Sequence, residues 1–204
     1  MIFPPFSRSL AVLLTLGLVL ATLAPTPARA EAPRSVEGLV AQLASIDTFA
    51  ADFVQESRDA NGNLRRESTG QFVLDRPGRF FWRYQTPYVQ ELIASDGVLW
   101  VYEPDLKQAT RSPLEATRGA PIAILMGERP VDEVFRIRAL KGEQGMAWFA
   151  LRPREDRGDF REVLLGVDAR GIKEMRFVDQ LDQTTRVVFD HRAFNEPVEA
   201  SRFR

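Results

Sequence analysis

The chain contains one histidine, His191, and no cysteine. A nucleophilic triad would have to use that histidine, and no Gly-x-Ser-x-Gly elbow is present to supply a serine. Asp190 adjoins His191, but neighbours on a strand point to opposite faces, so this carboxylate is not expected to orient the ring. A metal site would have to be built from carboxylates. These are scattered singly at turns, and Asp156 and Asp159 flank Gly158 without the spacing of a calcium loop. No glycine-rich phosphate loop occurs. A carboxylate pair for glycoside hydrolysis stays open, since any two acids can meet in space. The residue types favour binding over catalysis, and neither a cofactor nor a metal is expected.

The residues that suit binding are apolar. In Phe80-Phe81-Trp82-Arg83-Tyr84, strand alternation puts Phe80, Trp82 and Tyr84 on one face and Phe81 on the other. Two readings follow: a strand buried on both faces and covered by a helix on one side, or a face that lines a cavity for an apolar ligand. Pattern alone favours the first. The segment Ser112 to Gly127 has small and apolar residues without clean alternation. Pro121 suits a helix N1 position, and one or two short helices are expected here. Ile122 to Met126 is too apolar to stand in water and must cover an apolar surface.

Positioning these residues falls to many short elements. Val36, Leu39, Val40, Leu43 and Ile46 recur at helical spacing behind Ser35, a suitable N-cap. The period then changes to two. Phe49, Ala51, Phe53 and Gln55 read as one face of a strand, Asn61-Gly62 as a hairpin turn, and Thr69 to Leu74 as the returning strand. Further strands are expected at Val89–Ala94 and Val98–Tyr102 around Ser95-Asp96-Gly97. Five more are expected at Val134–Leu140, Ala147–Arg152, Glu162–Val167, Ile172–Val178 and Arg186–His191. Short strands joined by tight turns predict a mainly β fold, an antiparallel meander closing toward a barrel or sandwich.

The first thirty residues read as an export signal. Arg8 precedes an apolar or small run from Leu10 to Leu23, and Ala28-Arg29-Ala30 is a small-x-small cleavage site. The run is too short for a membrane span of about 20 residues. Residues 31 to 204 are then expected as one domain outside the cytoplasm. Without cysteine the chain carries no disulfide and no diacyl anchor of its own. Setting aside Arg8 and Arg29 leaves 25 basic side chains against 28 acidic, a net of −3, which does not suit nucleic acid.

Three stretches together resemble the LolA family, periplasmic carriers that take lipoproteins from the inner to the outer membrane of Gram-negative bacteria. They are Phe49-Ala50-Ala51-Asp52-Phe53-Val54-Gln55, the segment Gly70 to Trp82 with Arg76-Pro77-Gly78-Arg79-Phe80-Phe81-Trp82, and Ser95-Asp96-Gly97-Val98-Leu99-Trp100-Val101-Tyr102. Gln108-Ala109-Thr110 and Pro121 to Met126 follow at the family's distances, and the resemblance spans residues 31 to 204. It implies an unclosed antiparallel β-barrel of about 10–11 strands with an N-terminal helix and short mid-chain helices as a lid. It brings the cavity reading forward. Phe53, Phe72, Phe80, Trp82, Leu92 and Trp100 are then expected on one apolar concave surface under Ile122, Ile124, Leu125 and Met126. Phe80 occupies a position implied to sit at the rim and to receive or pass on cargo. Arg76 is implied as the latch that bonds lid carbonyls; otherwise it is a turn residue, and Arg79 and Arg83 are the nearby competitors. Implied partners are acylated lipoproteins, an inner-membrane ABC-type releasing complex and an outer-membrane acceptor of the LolB type, with a monomeric carrier. The alternatives are a carrier of glycolipid or phospholipid, or an envelope-stress lipid-sensing module of the same fold. The family commonly continues with Phe-x-Pro-Pro and a tail, whereas this sequence ends at Ser201-Arg202-Phe203-Arg204.

Overall fold

Ser35 starts the first helix by accepting a hydrogen bond from Gly38 N–H at 3.1 Å, and α1 runs over Val36–Ala44. Leu39, Leu43 and, just past the helix, Ile46 are buried, as their spacing predicts. The computed structural model describes residues 31–114, 122–127, 129–143, 145–155 and 160–204. The expected signal peptide, Pro121 at N1 and the Asp156–Asp159 loop lie outside the described residues.

Among the described residues, eleven antiparallel strands follow. They are β1 (Thr48–Arg58), β2 (Leu64–Asp75), β3 (Arg79–Thr86), β4 (Gln90–Ser95), β5 (Val98–Glu103), β6 (Gln108–Pro113), β7 (Phe135–Ala139), β8 (Ala147–Pro153), β9 (Phe160–Asp168), β10 (Gly171–Asp179) and β11 (Thr184–Phe194). Their order in the single sheet is β6-β5-β4-β3-β2-β1-β11-β10-β9-β8-β7. The two ends, β6 and β7, are not paired to each other, so the barrel is unclosed. Two short helices, α2 (Ile122–Met126) and α3 (Val131–Val134), lie in the chain between those ends.

Three local readings need correction. The β1–β2 connection is a five-residue loop rather than a two-residue Asn-Gly turn. Asp59 Oδ1 accepts from Asn61 and Asn63 N–H, and this side-chain cap takes over the closing role. β6 carries no apolar alternation, because almost all of it is exposed, and it was not expected as a strand. Val134 belongs to α3, so β7 starts one residue later than its apolar pattern suggested.

The inner face of the sheet holds the core. Phe49, Phe53, Phe72, Leu74, Phe80, Phe149, Leu165, Met175 and Phe189 pack there against α1 and against Ile124, Leu125 and Met126 of α2. The outer face of β3 is covered at one end by the C-terminal 3-10 turn Ala200–Phe203. Phe203 is buried there, with the Arg79 guanidinium 5.4 Å from its ring.

Candidate functional site

Arg76 follows β2 directly. Its backbone N–H donates to Asp47 O at 2.9 Å, which sets its side chain beside the junction of α1 and β1. The guanidinium then spans two helices. Nε and Nη2 donate to Leu125 O at 2.9 and 2.7 Å, and Nη1 donates to Leu43 O at 2.6 Å. Leu43 and Leu125 sit in the last turns of α1 and α2, where carbonyls lack intrahelical partners and the helix end is partially negative. A planar fork suits two such carbonyls at once, as a point-like ammonium would not. Burial pulls the Arg76 guanidinium below its ordinary pKa, while the Asp47 charge opposes this.

Gly127 completes the contact and was not singled out from sequence. It follows α2 at φ +63°, the left-handed position where helices commonly end on glycine. A Cβ here would stand 2.5 Å from Arg76 Cζ, so the guanidinium occupies the space that a side chain would need. The signal that could have found it is a glycine directly after the apolar run Ile122–Met126. The competing arginines are engaged elsewhere. Arg79 donates to Asp75 at 2.5 Å, and Arg83 faces Glu91 at 3.4 Å on the outer side of the sheet.

Cross-strand register decides which expected residues share the inner face. Phe53, Phe72 and Phe80 do, and they are 2%, 0% and 2% exposed. Phe80 is therefore core, paired with Leu74 and Ala94, and not the rim residue that the motif implied. Trp82 and Leu92 are paired with each other on the same face and are half-buried. Trp100 stands on the opposite face. The two-residue turn at Asp96 and Gly97, both at positive φ, pairs Ser95 with Val98, so Leu92 meets Val101 and Trp100 meets Ile93. Trp100 is 43% exposed, with the Arg111 guanidinium 5.7 Å from its ring. Parity lost by one position across that turn explains the error. Ile124, Leu125 and Met126 of α2 are buried against the face, and Ile122 is half-buried.

The accessible part of the inner face is thus a subset: Trp82, Tyr84, Leu92, Val101, Ile122, Ile137 and Phe160 are all partly buried against the core. Phe53 and Phe72 support Trp82 from beneath, with ring centroids at 4.8 and 5.0 Å. Tyr84 closes this patch with a polar tip, its hydroxyl donating to Gln55 Oε1 at 3.2 Å. Burial pushes the Tyr84 phenol up, and the Gln55 contact offsets only part of this, so the group stays neutral. The patch is an apolar surface with a polar end, next to α2, whose Leu125 carbonyl accepts from Arg76.

His191 lies away from it. His191 and Arg192 together stand opposite Ala51 in a bulge that starts just after the Asp52–Asp190 pair; His191 takes φ +48° there, and the Asp190 and His191 side chains are both exposed. Its Nδ1 is 2.9 Å from Asp52 Oδ2, and the side chain is 85% exposed.

A family model described as "Outer membrane lipoprotein carrier protein LolA" matches residues 44–204. Two relatives are each named outer-membrane lipoprotein carrier protein. The one from Methylococcus capsulatus is 39% identical over 148 residues, 72% of this chain and 71% of its own length. The one from Ralstonia nicotianae is 35% identical over 198 residues, 94% of this chain and 91% of its own. Among solved structures, an uncharacterized conserved protein from Thermus thermophilus superposes with a TM-score of 0.53 at 12% identity. The match covers 82% of this chain and 92% of that one, and it shows the fold alone.

Proposed function

The chain belongs to the LolA family of outer membrane lipoprotein carriers, and from that premise we propose that it works in the periplasm, moving acylated lipoproteins between membranes. It receives them from an inner-membrane ABC-type releasing complex after export through its own leader, residues 1–30, and gives them up to an outer-membrane acceptor of the LolB type. The acyl chains lie against Trp82, Leu92, Val101, Ile122 and Phe160, and the lid of Ile122–Met126 moves to admit them.

The observation that carries this reading is the Arg76 fork joining α2 to α1 beside a half-buried apolar face. Exposing an acyl chain to water costs about 0.8 kcal/mol per methylene, so a triacyl anchor needs a covered surface for transit. A carrier must also let go. Hydrogen bonds that hold the empty form closed favour release, because they re-form only once the cargo has left. The single test is native mass spectrometry of the protein purified from periplasm in mild conditions. A copurifying acylated protein supports the reading. Phospholipid or glycolipid alone would replace it with a lipid shuttle.

A further inference from the structure

β7 ends the sheet, so half of its backbone groups have no neighbouring strand. The register says which half. Leu140 N–H donates to Trp148 O at 2.7 Å, and Arg154 N–H donates to Val134 O at 3.0 Å. Antiparallel strands alternate bonded and unbonded pairs, so Arg136–Arg152 and Arg138–Ala150 are the bonded pairs between them. The N–H and C=O groups of Ile137 and Ala139 therefore point away from β8, and no hydrogen bond among the described residues takes them. Phe135 N–H, by contrast, already donates to Val131 O. Beside Ala139 the edge opens into a groove of about 480 Å³ between residues 31–34 and the β7–β8 hairpin.

The side chains on this edge are sorted by face. Ile137 turns inward and packs on the core. Arg136 and Arg138 are exposed on the outer face, and neither has an ion-pair partner among the described residues. Of the nearby charges, Arg129 is paired with Glu133, Arg152 with Glu162, and Glu31 in the groove with Arg34. The opposite edge, β6, differs. It ends on Pro113, which has no N–H to offer, and its Arg111 lies over Trp100.

We propose that the β7 edge is a docking site for an extended, acidic segment of a partner protein. The segment adds as a further strand, bonding Ile137 and Ala139 through its main chain. Its acidic side chains stand opposite Arg136 and Arg138, and its apolar ones continue the inner face beside Ile137. The proposal is independent of what the inner face carries.

The probe is a capped peptide alternating valine and glutamate, with a valine–lysine peptide as its counterpart. Amide exchange on the full chain is expected to slow at Ile137 and Ala139 on adding the acidic peptide, and to stay unchanged at Arg136 and Arg138, which are bonded already. The double variant Arg136→Glu/Arg138→Glu, at exposed positions, should weaken the acidic peptide about tenfold and bind the basic one in its place. Absence of protection at Ile137 and Ala139 would overturn the proposal, as would protection that ignores the charge reversal. Binding to phosphatidylglycerol vesicles without binding to either peptide would overturn it in favour of a lipid surface.

Discussion

Arg76 makes three hydrogen bonds to two carbonyls in helices far apart in sequence, and replacing it tests each part of that arrangement. Arg76→Lys keeps the charge but not the fork. It should bind one of the two carbonyls and weaken the closed form by less than Arg76→Leu, which loses about 2–4 kcal/mol of charge-assisted hydrogen bonding. Gly127→Ala leaves the arginine intact but demands a Cβ at φ +63° in the space of Cζ, so it should loosen the lid by about 1–2 kcal/mol. Amide exchange at α2 would rank the three; equal protection in all of them would show that the fork does not hold α2. A second residue-scale test concerns stability. Burial alone would raise the Glu174 carboxyl, but bonds from Arg186 and Arg176 outweigh it and hold the group below its ordinary value. A depressed folded pKa contributes stability above the unfolded value of about 4.3, lost as pH falls through the folded one. Glu174→Gln should therefore be less stable at neutral pH by about 1–2 kcal/mol, modest because both guanidiniums reach water. Its stability should also fall less steeply than the parent's below about pH 4, as acid titrations followed by circular dichroism would read.

At the scale of elements, the face of each strand decides what a substitution does. Phe80→Glu puts a charge in the core beside Leu74 and Ala94, and should cost about 3–5 kcal/mol of stability, seen as a lower melting temperature or insoluble protein. Leu92→Glu sits on the half-buried part of the same face. It should fold with a smaller loss yet weaken a fluorescent triacyl probe at least about tenfold; unchanged probe affinity would remove this face from the cargo site. The elements themselves were largely legible. The Ser35 cap, the period of α1 and the alternation of β1 and β3 each follow from local rules that the core then reinforces. Faces were less legible than strands, because parity must be carried across turns. Trp100 was assigned to the wrong face at a single tight turn, while β6 left no apolar trace at all. Phe80 shows a different limit: a motif names a position, but its exposure depends on the core packed around it, here with Leu74 and Ala94 as its cross-strand partners. The Leu43 carbonyl that Arg76 bonds is backbone, and no side-chain pattern announces it.

The whole molecule couples these parts. The eleven strands among the described residues leave the barrel open between β6 and β7, and α2, which lies between them in the chain, packs on the core of the inner face. Only Arg76, fixed beside the start of β1, was seen to hold α2 and α1 together through polar bonds among the described residues. Under the proposed function, opening for cargo and closing after release are one equilibrium, and removing the fork should shift it toward the loaded form. The most direct measurement is a two-stage transfer assay with purified acylated lipoprotein and the Arg76→Leu variant. Cargo uptake from the inner-membrane releasing complex should persist, because an unlatched lid admits acyl chains readily. Release to the outer-membrane acceptor should fail, leaving a soluble loaded complex. Release at the parent rate would contradict the account, and would reduce Arg76 to a residue that merely ends β2.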